Sequence, residues 1–448
     1  MEKHKNVRFY STAATAQREG FRACKRCRPD TVPGSPEWDV RADAVGRAMR
    51  LIADGVVDRE GVAGLSRRLS YTERHLHRLL VTEVGAGPLA RARARRAHTA
   101  RLLIETTDLP ISEVAFAAGF ASIRQFNDTV REVFAAAPKE LRRARGERGE
   151  TGQGGILLRL PFRRPFEAAG LMRFLGERAV AGVEHFEGGT YRRTLRLSHS
   201  AGTVALSDGG DHVRCVLRLE DLRDLGSAVQ RCRGLLDLDA DPLLAPVVRR
   251  SPGRRVPGSV DGAELAVRAV LGQQVSVGAA RTLAGRLVTR CGEPLPEALA
   301  EPDRGLTHLF PGPETIAQIG AAGLAVPEAR REALRSLAGA LAGGGIMLDP
   351  GSDREKTYRK LLSLRGVGPW TASYVAMRAL GDPDAFLPAD LGVRRAVRRL
   401  GGAGNVAGVA ALAEGWRPWR AYAAQHLWAS LEEAAPRKEP AKREVVVA

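Results

Sequence analysis

Residues 145–155 (RGERGETGQGG) carry no apolar period, and the chain obeys different rules on either side of them. A polar, Gly-rich run of this kind buries no core and reads as a linker, so the fold divides into units. Before it, residues 37–144 keep helical spacing throughout. Val45, Ala48, Met49, Ile52 and Ala53, for example, recur at i, i+3 and i+4. After it, residues 156–245 break into short runs bounded by Gly or Asp. Ile156–Leu160, Tyr191–Leu197, Thr203–Leu206 and His212–Leu219 read as strands, and Leu171–Arg178 and Asp221–Leu236 as helices. In a last unit, 246–432, the helical period returns from Gly262 to about Leu431 almost without strands. Residues 31–36 form a first linker behind a short piece, 1–30, and residues 433–448 read as a disordered tail. The expected fold is mainly α with one small α+β domain. A length of 448 residues accommodates about three domains at roughly 100–200 residues each.

Lys and Arg outnumber Asp and Glu by 69 to 51, a net charge of +18. Hydrophobic residues at 44% and charged residues at 27% are an ordinary globular balance, which disfavours a disordered chain, a collagen or a disulfide scaffold. The excess of base calls for a polyanionic partner, nucleic acid before membrane. No run of about 18 apolar residues exists, and the first residues lack the apolar core of a signal peptide. Five Cys are too few for a disulfide framework. The expected location is the cytoplasm.

Within residues 37–144, two segments read as helix, tight turn, helix. In the first, the period breaks at Leu69-Ser70-Tyr71-Thr72, where Ser70 or Thr72 can cap the next helix. That helix offers Arg74, His75 and Arg78. In the second, a helix through Ile111, Val114 and Ala115 stops at Gly119, and Ser122 starts another that offers Arg124, Gln125 and Asn127. Side chains of these types reach base edges and phosphates when such a helix enters a major groove. Arg91, Arg93, Arg95, Arg96 and Arg101 add a basic linking helix suited to the DNA backbone. The stretch resembles the AraC-type DNA-binding domain, and Ile111–Phe134 (ISEVAFAAGFASIRQFNDTVREVF) resembles the version found in Ada-type alkylation-response regulators.

The resemblance extends upstream to Gly20–Cys27, which looks like the second half of the Ada zinc module. That module uses four Cys, and its upstream pair includes the thiolate that accepts a methyl group. Here no Cys precedes Cys24. Cys24 and Cys27 supply two of the four ligands a closed zinc site needs, with His4 a remote third. The expectation is an incomplete, non-functional zinc site with methyl acceptance lost, or a chain whose given start lies downstream of its true one. Cys215, Cys232 and Cys291 read as buried or idle thiols.

Residues 358–378 (YRKLLSLRGVGPWTASYVAMR) are the sharpest local signal. A helix through Leu361, Leu362 and Leu364 meets Gly366-Val367-Gly368, and a new helix starts near Pro369. The glycines let the backbone approach a phosphate, and the N–H groups of the new helix face it. This is a helix-hairpin-helix, a sequence-independent clamp on the DNA backbone. Downstream lies Phe386–Arg394 (FLPADLGVR). The order hairpin, Gly/Pro/Asp loop, single Asp resembles the helix-hairpin-helix DNA glycosylases, and most closely the AlkA-type 3-methyladenine enzymes, over about residues 156–432.

The resemblance implies the following roles. Asp390 stabilises the positive charge that builds on the sugar as an N-glycosidic bond breaks, and orients or deprotonates water; on its own residues it also reads as a helix N-cap. Phe174, Trp370, Tyr374 and Trp428 line an aromatic pocket for a cationic base, while Trp416 and Trp419 read as core. Gln273 and Gln274 stand where AlkA-type enzymes use Leu to fill the gap left by a flipped base. Trp370 occupies the place of the Schiff-base Lys of bifunctional relatives, which points to a glycosylase without lyase activity. No Cys follows Cys291, so no iron–sulfur cluster is expected. No cofactor is required, although a monovalent cation at the hairpin carbonyls is compatible with the resemblance.

The expected protein is an alkylbase DNA glycosylase fused to an AraC-type regulator domain, acting on double-stranded DNA. RNA polymerase is a further partner where the regulator is active. The alternative is an alkylation-response regulator whose glycosylase-like part only clamps DNA.

Overall fold

The computed structural model describes residue 19 and residues 43–143, 155–240, 253–319 and 323–432. Cys24 and Cys27 lie outside the described residues, as do most of the expected linkers and the tail.

The first unit is helical: α1 (Asp43–Ala53), α2 (Val56–Leu69), α3 (Glu73–Val84), α4 (Pro88–Thr106), α5 (Ile111–Ala117), α6 (Ile123–Phe134) and α7 (Pro138–Arg143). Val45, Ala48, Met49, Ile52 and Ala53 are all buried. Thr72 caps α3 by accepting from the His75 N–H, and Ser122 caps α6 by accepting from Gln125 N–H. The two turns solve the same steric problem differently. Gly119 takes φ +86° in the second, whereas Ser70 takes φ 61° in the first, where the sequence offers no glycine.

Next come β1 (Ile156–Pro161), α8 (Ala168–Glu177), β2 (Glu184–Glu187), β3 (Thr190–Arg196), β4 (Ala201–Asp208), β5 (His212–Leu219) and α9 (Leu225–Leu235). The strands form one antiparallel sheet in the order β1-β5-β4-β3-β2. In register, Leu158 faces Cys215, Cys215 faces Leu206 and Leu206 faces Tyr191, all buried. Period-2 alternation thus gives the sheet one apolar face, and α8 and α9 cover it. Strand β2 (EHFE) has no apolar alternation and went unread; burial of Glu184 in an ion cluster holds it there.

The last unit contains α10 (Gly262–Leu271), α11 (Val277–Cys291), a two-residue hairpin β6 (Glu293–Pro294) and β7 (His308–Leu309), α12 (Pro313–Ile319), α13 (Glu328–Ala342), α14 (Arg354–Leu362), α15 (Pro369–Arg378), α16 (Leu391–Arg399), α17 (Val406–Glu414) and α18 (Arg420–Glu432). It has its own apolar core, which includes Trp419; Trp416 packs against it, edge-on to Phe386.

The cores do not follow the composition. The first half of the helical unit closes on itself around Leu51, Leu65, Leu76 and Leu80. Its second half, with Ala100, Leu103, Phe126 and Phe134, shares one apolar core with Leu158, Leu175 and Leu225 of the α+β unit. The first unit also touches the last. Arg47 Nε donates to the Gly351 carbonyl at 2.7 Å, and Arg68 pairs with Asp349 at 3.2 Å.

Candidate active site and DNA interfaces

A cavity of about 440 Å³ lies where the α+β unit meets the last helical unit. Phe174, Trp370, Tyr374, Asp390 and Trp428 all line it, although residues 174 and 428 lie far apart in sequence. Helix α8 supplies Phe174, α15 supplies Trp370 and Tyr374 one turn apart, and α18 supplies Trp428. Trp370 and Tyr374 stack, with ring centroids 5.2 Å apart and planes within 7°.

Asp390 is fixed by three donors. Its Oδ1 accepts from Trp428 Nε1 and the Val393 N–H, each at 2.9 Å, and its Oδ2 accepts from Trp370 Nε1 at 2.9 Å. The N-cap reading and the pocket reading therefore hold together. A carboxylate has about four acceptor directions; three are used, and one on Oδ2 has no donor among the described residues. Gly392 is needed here, since a Cβ on it would come 2.9 Å from the Trp428 ring and 3.0 Å from Asp390 Oδ1.

Two arginines in this cavity were missed from sequence. Arg178 lies 3.7 Å and Arg378 5.3 Å from the centroid of the Phe174 ring. Arg378 also donates to Tyr374 Oη at 2.7 Å. Burial pushes the Tyr374 phenol up, yet Arg378, Arg178 and Arg268 hold it below the ordinary tyrosine value. The missed signal is an aromatic–Arg pair at i, i+4 on two helices, Phe174/Arg178 and Tyr374/Arg378.

In the hairpin, Gly366 has φ +81°, and a Cβ there would lie 2.6 Å from Ala333 Cβ. Gly368 starts α15 with no side-chain cap and open space above it. The Val367 N–H is already donated to Leu364 O at 3.2 Å, and its side chain is buried. Val367 anchors the hairpin and has no N–H left for a phosphate, which corrects its grouping with the two glycines. Gln273 also needs correction as a gap filler. Its Nε2 donates to Gly366 O at 3.0 Å and to Thr371 Oγ1 at 2.9 Å, so it braces the loop against the hairpin. Gln274 is exposed with φ 55°, beside exposed Val275.

On the helical unit, Arg74, His75, Arg78, Arg124 and Gln125 are exposed and Asn127 is half-buried. His75 stacks on Tyr71 with ring centroids 5.1 Å apart, and Arg78 approaches its Nδ1 at 3.3 Å. The arginines of α4 do not form a DNA-facing row. Arg93 pairs with Glu132, Arg95 and Arg96 with Asp58, and Arg101 with Glu105. Burial pulls the Arg91 guanidinium down to about 10. The basic linking helix is mainly an internal brace.

Among the described residues, no group of three or more His, Cys, Asp or Glu could hold a metal ion, and no helix is long and apolar enough to cross a membrane.

Residues 2–30 match the metal binding domain of Ada, 65–144 a helix-turn-helix domain, 157–261 the AlkA N-terminal domain, and 267–420 the HhH-GPD superfamily of base excision DNA repair proteins. The chain is 54% identical over 442 residues to the "probable bifunctional transcriptional activator/DNA repair enzyme AlkA" of Mycobacterium tuberculosis, covering 96% of this chain and 88% of that one. It is 32% identical to DNA-3-methyladenine glycosylase 2 of Escherichia coli over 60% of this chain and 95% of that one. A solved 3-methyladenine DNA-glycosylase from Archaeoglobus fulgidus shares the fold, with a TM-score of 0.53 at 23% identity, over 62% of this chain and 99% of that one.

Proposed function

The chain belongs to the family of bifunctional AlkA-type activator and DNA repair enzymes, and from that premise we propose how its own residues carry out the repair. It is a DNA repair glycosylase for alkylated bases, joined to an AraC-type DNA-binding regulator domain, and DNA is its partner. In our reading, the hairpin around Gly366 and Gly368 grips the backbone and Gln274 fills the gap in the duplex. The flipped base enters the cavity among Phe174, Trp370, Tyr374 and Trp428. There Asp390 faces the sugar. Its open lone pair meets the charge growing at the anomeric carbon and orients the water that replaces the base. The observation that carries this reading is the Asp390 carboxylate held by two indole N–H groups on the wall of an aromatic cavity. The reaction calls for a carboxylate and water and for no cofactor.

Excision without strand cleavage is part of the proposal, because an indole at position 370 cannot form a Schiff base. Methylated duplex incubated with the protein should release free 3-methyladenine and leave an intact strand that breaks only on alkaline treatment. Strand breaks formed without alkali, trapped by borohydride as a covalent adduct, would remove this part. No base release from folded, DNA-binding protein would remove the glycosylase reading.

Gln274 gives a second test. Gln274→Ala takes away the group that replaces the extruded base. Base release from duplex should slow by about tenfold, equivalent to roughly 1.4 kcal/mol, while release from a single-stranded methylated oligonucleotide stays the same. Equal slowing on both substrates would mean that Gln274 serves the loop fold.

Exposed Arg74, His75, Arg78, Arg124 and Gln125 suit sequence-selective contact with an operator. A bound regulator acts on transcription by meeting RNA polymerase, which we include as a partner, and both activities belong where chromosomal DNA lies, in the cytoplasm.

A further inference from the structure

A second groove, of about 890 Å³, runs along an exposed side of α11. Gly278, Thr282, Gly285 and Thr289 recur at i, i+4, i+7 and i+11 and make a low floor. The two threonine hydroxyls already donate to the carbonyls of Gly278 and Gly285, at 3.1 and 3.0 Å. Arg281 stands on one side of this floor, and Arg286 and Arg290 on the other. No acidic residue lines the groove.

Some exposed arginines of this chain pair with carboxylates, as Arg331 does with Glu328 and Arg417 with Glu414. Among the described residues, no carboxylate pairs with Arg281, Arg286 or Arg290. Arg281 is steadied by donating from Nε to the Ala179 carbonyl at 2.9 Å. The Arg290 guanidinium lies over Gly323, where a Cβ would come within 2.1 Å of it.

Two features say what such a trough takes. Arg281 lines both the groove and the base cavity, and α11 starts at Ser276, two residues past Gln274. The groove thus leads away from the site of base extrusion. At 1.5 Å rise per residue, Arg281, Arg286 and Arg290 are spaced along the helix axis by roughly 7.5 and 6 Å. Intervals of this size let successive guanidinium groups reach different phosphates of one strand. A floor without bulk lets a sugar-phosphate chain settle between the guanidinium groups, whose forked donors suit phosphate oxygens.

We propose that this groove binds the DNA backbone flanking the flipped nucleotide, lengthening the enzyme's hold on the duplex beyond the hairpin. The proposal rests on the glycosylase reading. Phosphate contacts of this kind position the duplex and carry no sequence information.

The test uses the full chain with Arg286→Gln and Arg290→Gln combined, and a charge-matched control with Arg223→Gln and Arg304→Gln, whose arginines are exposed and paired. Binding to a lesion-containing duplex is measured across a salt series. Losing two phosphate contacts should reduce the slope of log K against log salt by about 1.8, with single-turnover base release at saturating protein unchanged. The control should keep the wild-type slope. An unchanged slope in the groove variant, or an equal change in the control, would overturn the groove while leaving the glycosylase intact. So would lost binding to polyglutamate with duplex binding kept, which would make the partner an acidic protein. If wild type releases no base at all, the underlying reading fails instead, whatever the slopes.

Discussion

Replacing Asp390 by Asn should slow release of 3-methyladenine roughly 100- to 1,000-fold, the usual cost of removing one group aimed at transition-state charge. The substitution changes little in shape. The Asn side-chain oxygen can still cap α16 through the Val393 N–H, so the helix should form. What it cannot do is accept from both indoles, because its NH₂ would face an N–H of Trp370 or Trp428. One indole loses its acceptor, at a cost of about 1–3 kcal/mol if it stays buried. The variant should therefore melt somewhat below wild type, remain folded, and bind duplex through the hairpin. Single-turnover base release, with circular dichroism and duplex affinity measured alongside, separates chemistry from folding. Equal release from the variant and wild type would keep the enzyme and refute the role of Asp390. Loss of duplex binding together with release would mean that Asp390 acts by holding α16 in place.

The parts of this arrangement that were readable in sequence are those whose cause is local. The caps at Thr72 and Ser122, the strand alternation at Leu158 and Leu160, and the Gly366–Gly368 turn are each set by neighbours a few residues away. Asp390 itself became legible through the resemblance of the segment around it. What stayed hidden depends on partners distant in the chain. Gln273 looks like a wedge residue until Gly366 and Thr371 are brought to it. The arginines of α4 look like a DNA-binding row until Asp58 and Glu132 are brought to Arg95, Arg96 and Arg93. The polar run after residue 144 marks a division in composition, yet Phe126 and Leu158 share one core across it. Charge and period can be read from a sequence; pairing across tens of residues cannot.

Loss of Arg193 should be the most damaging change away from the reacting group. Arg193 on β3 is almost fully buried with Glu184 and Glu264. It donates to Glu184 Oε1 at 3.2 Å and to Glu264 Oε2 at 2.6 Å. Arg268 on α10 completes the cluster, reaching Glu184 at 2.9 Å and Glu264 at 2.8 Å. Glu184 and Arg193 belong to the sheet, and Glu264 and Arg268 to the helical unit, so this cluster sets where Phe174 stands relative to Trp370 and Asp390. Arg193→Met leaves two buried carboxylates sharing one guanidinium, and breaking a buried cluster in this way costs about 3–5 kcal/mol. The thermal midpoint should fall, and base release should fall with it even at temperatures where the variant is folded. Acid tells charge from packing. Burial pushes the Glu184 carboxyl up, but Arg268 and Arg193 outweigh it and hold it below its ordinary 4.5. A depressed carboxylate contributes stability that is complete above pH 4.5 and drains away as the pH falls below it. Wild type and Arg193→Met should therefore differ most near neutral pH and converge in acid. A constant gap at every pH would mean that Arg193 acts by filling space, and equal midpoints at pH 7 would mean that the cluster does not hold the two units together.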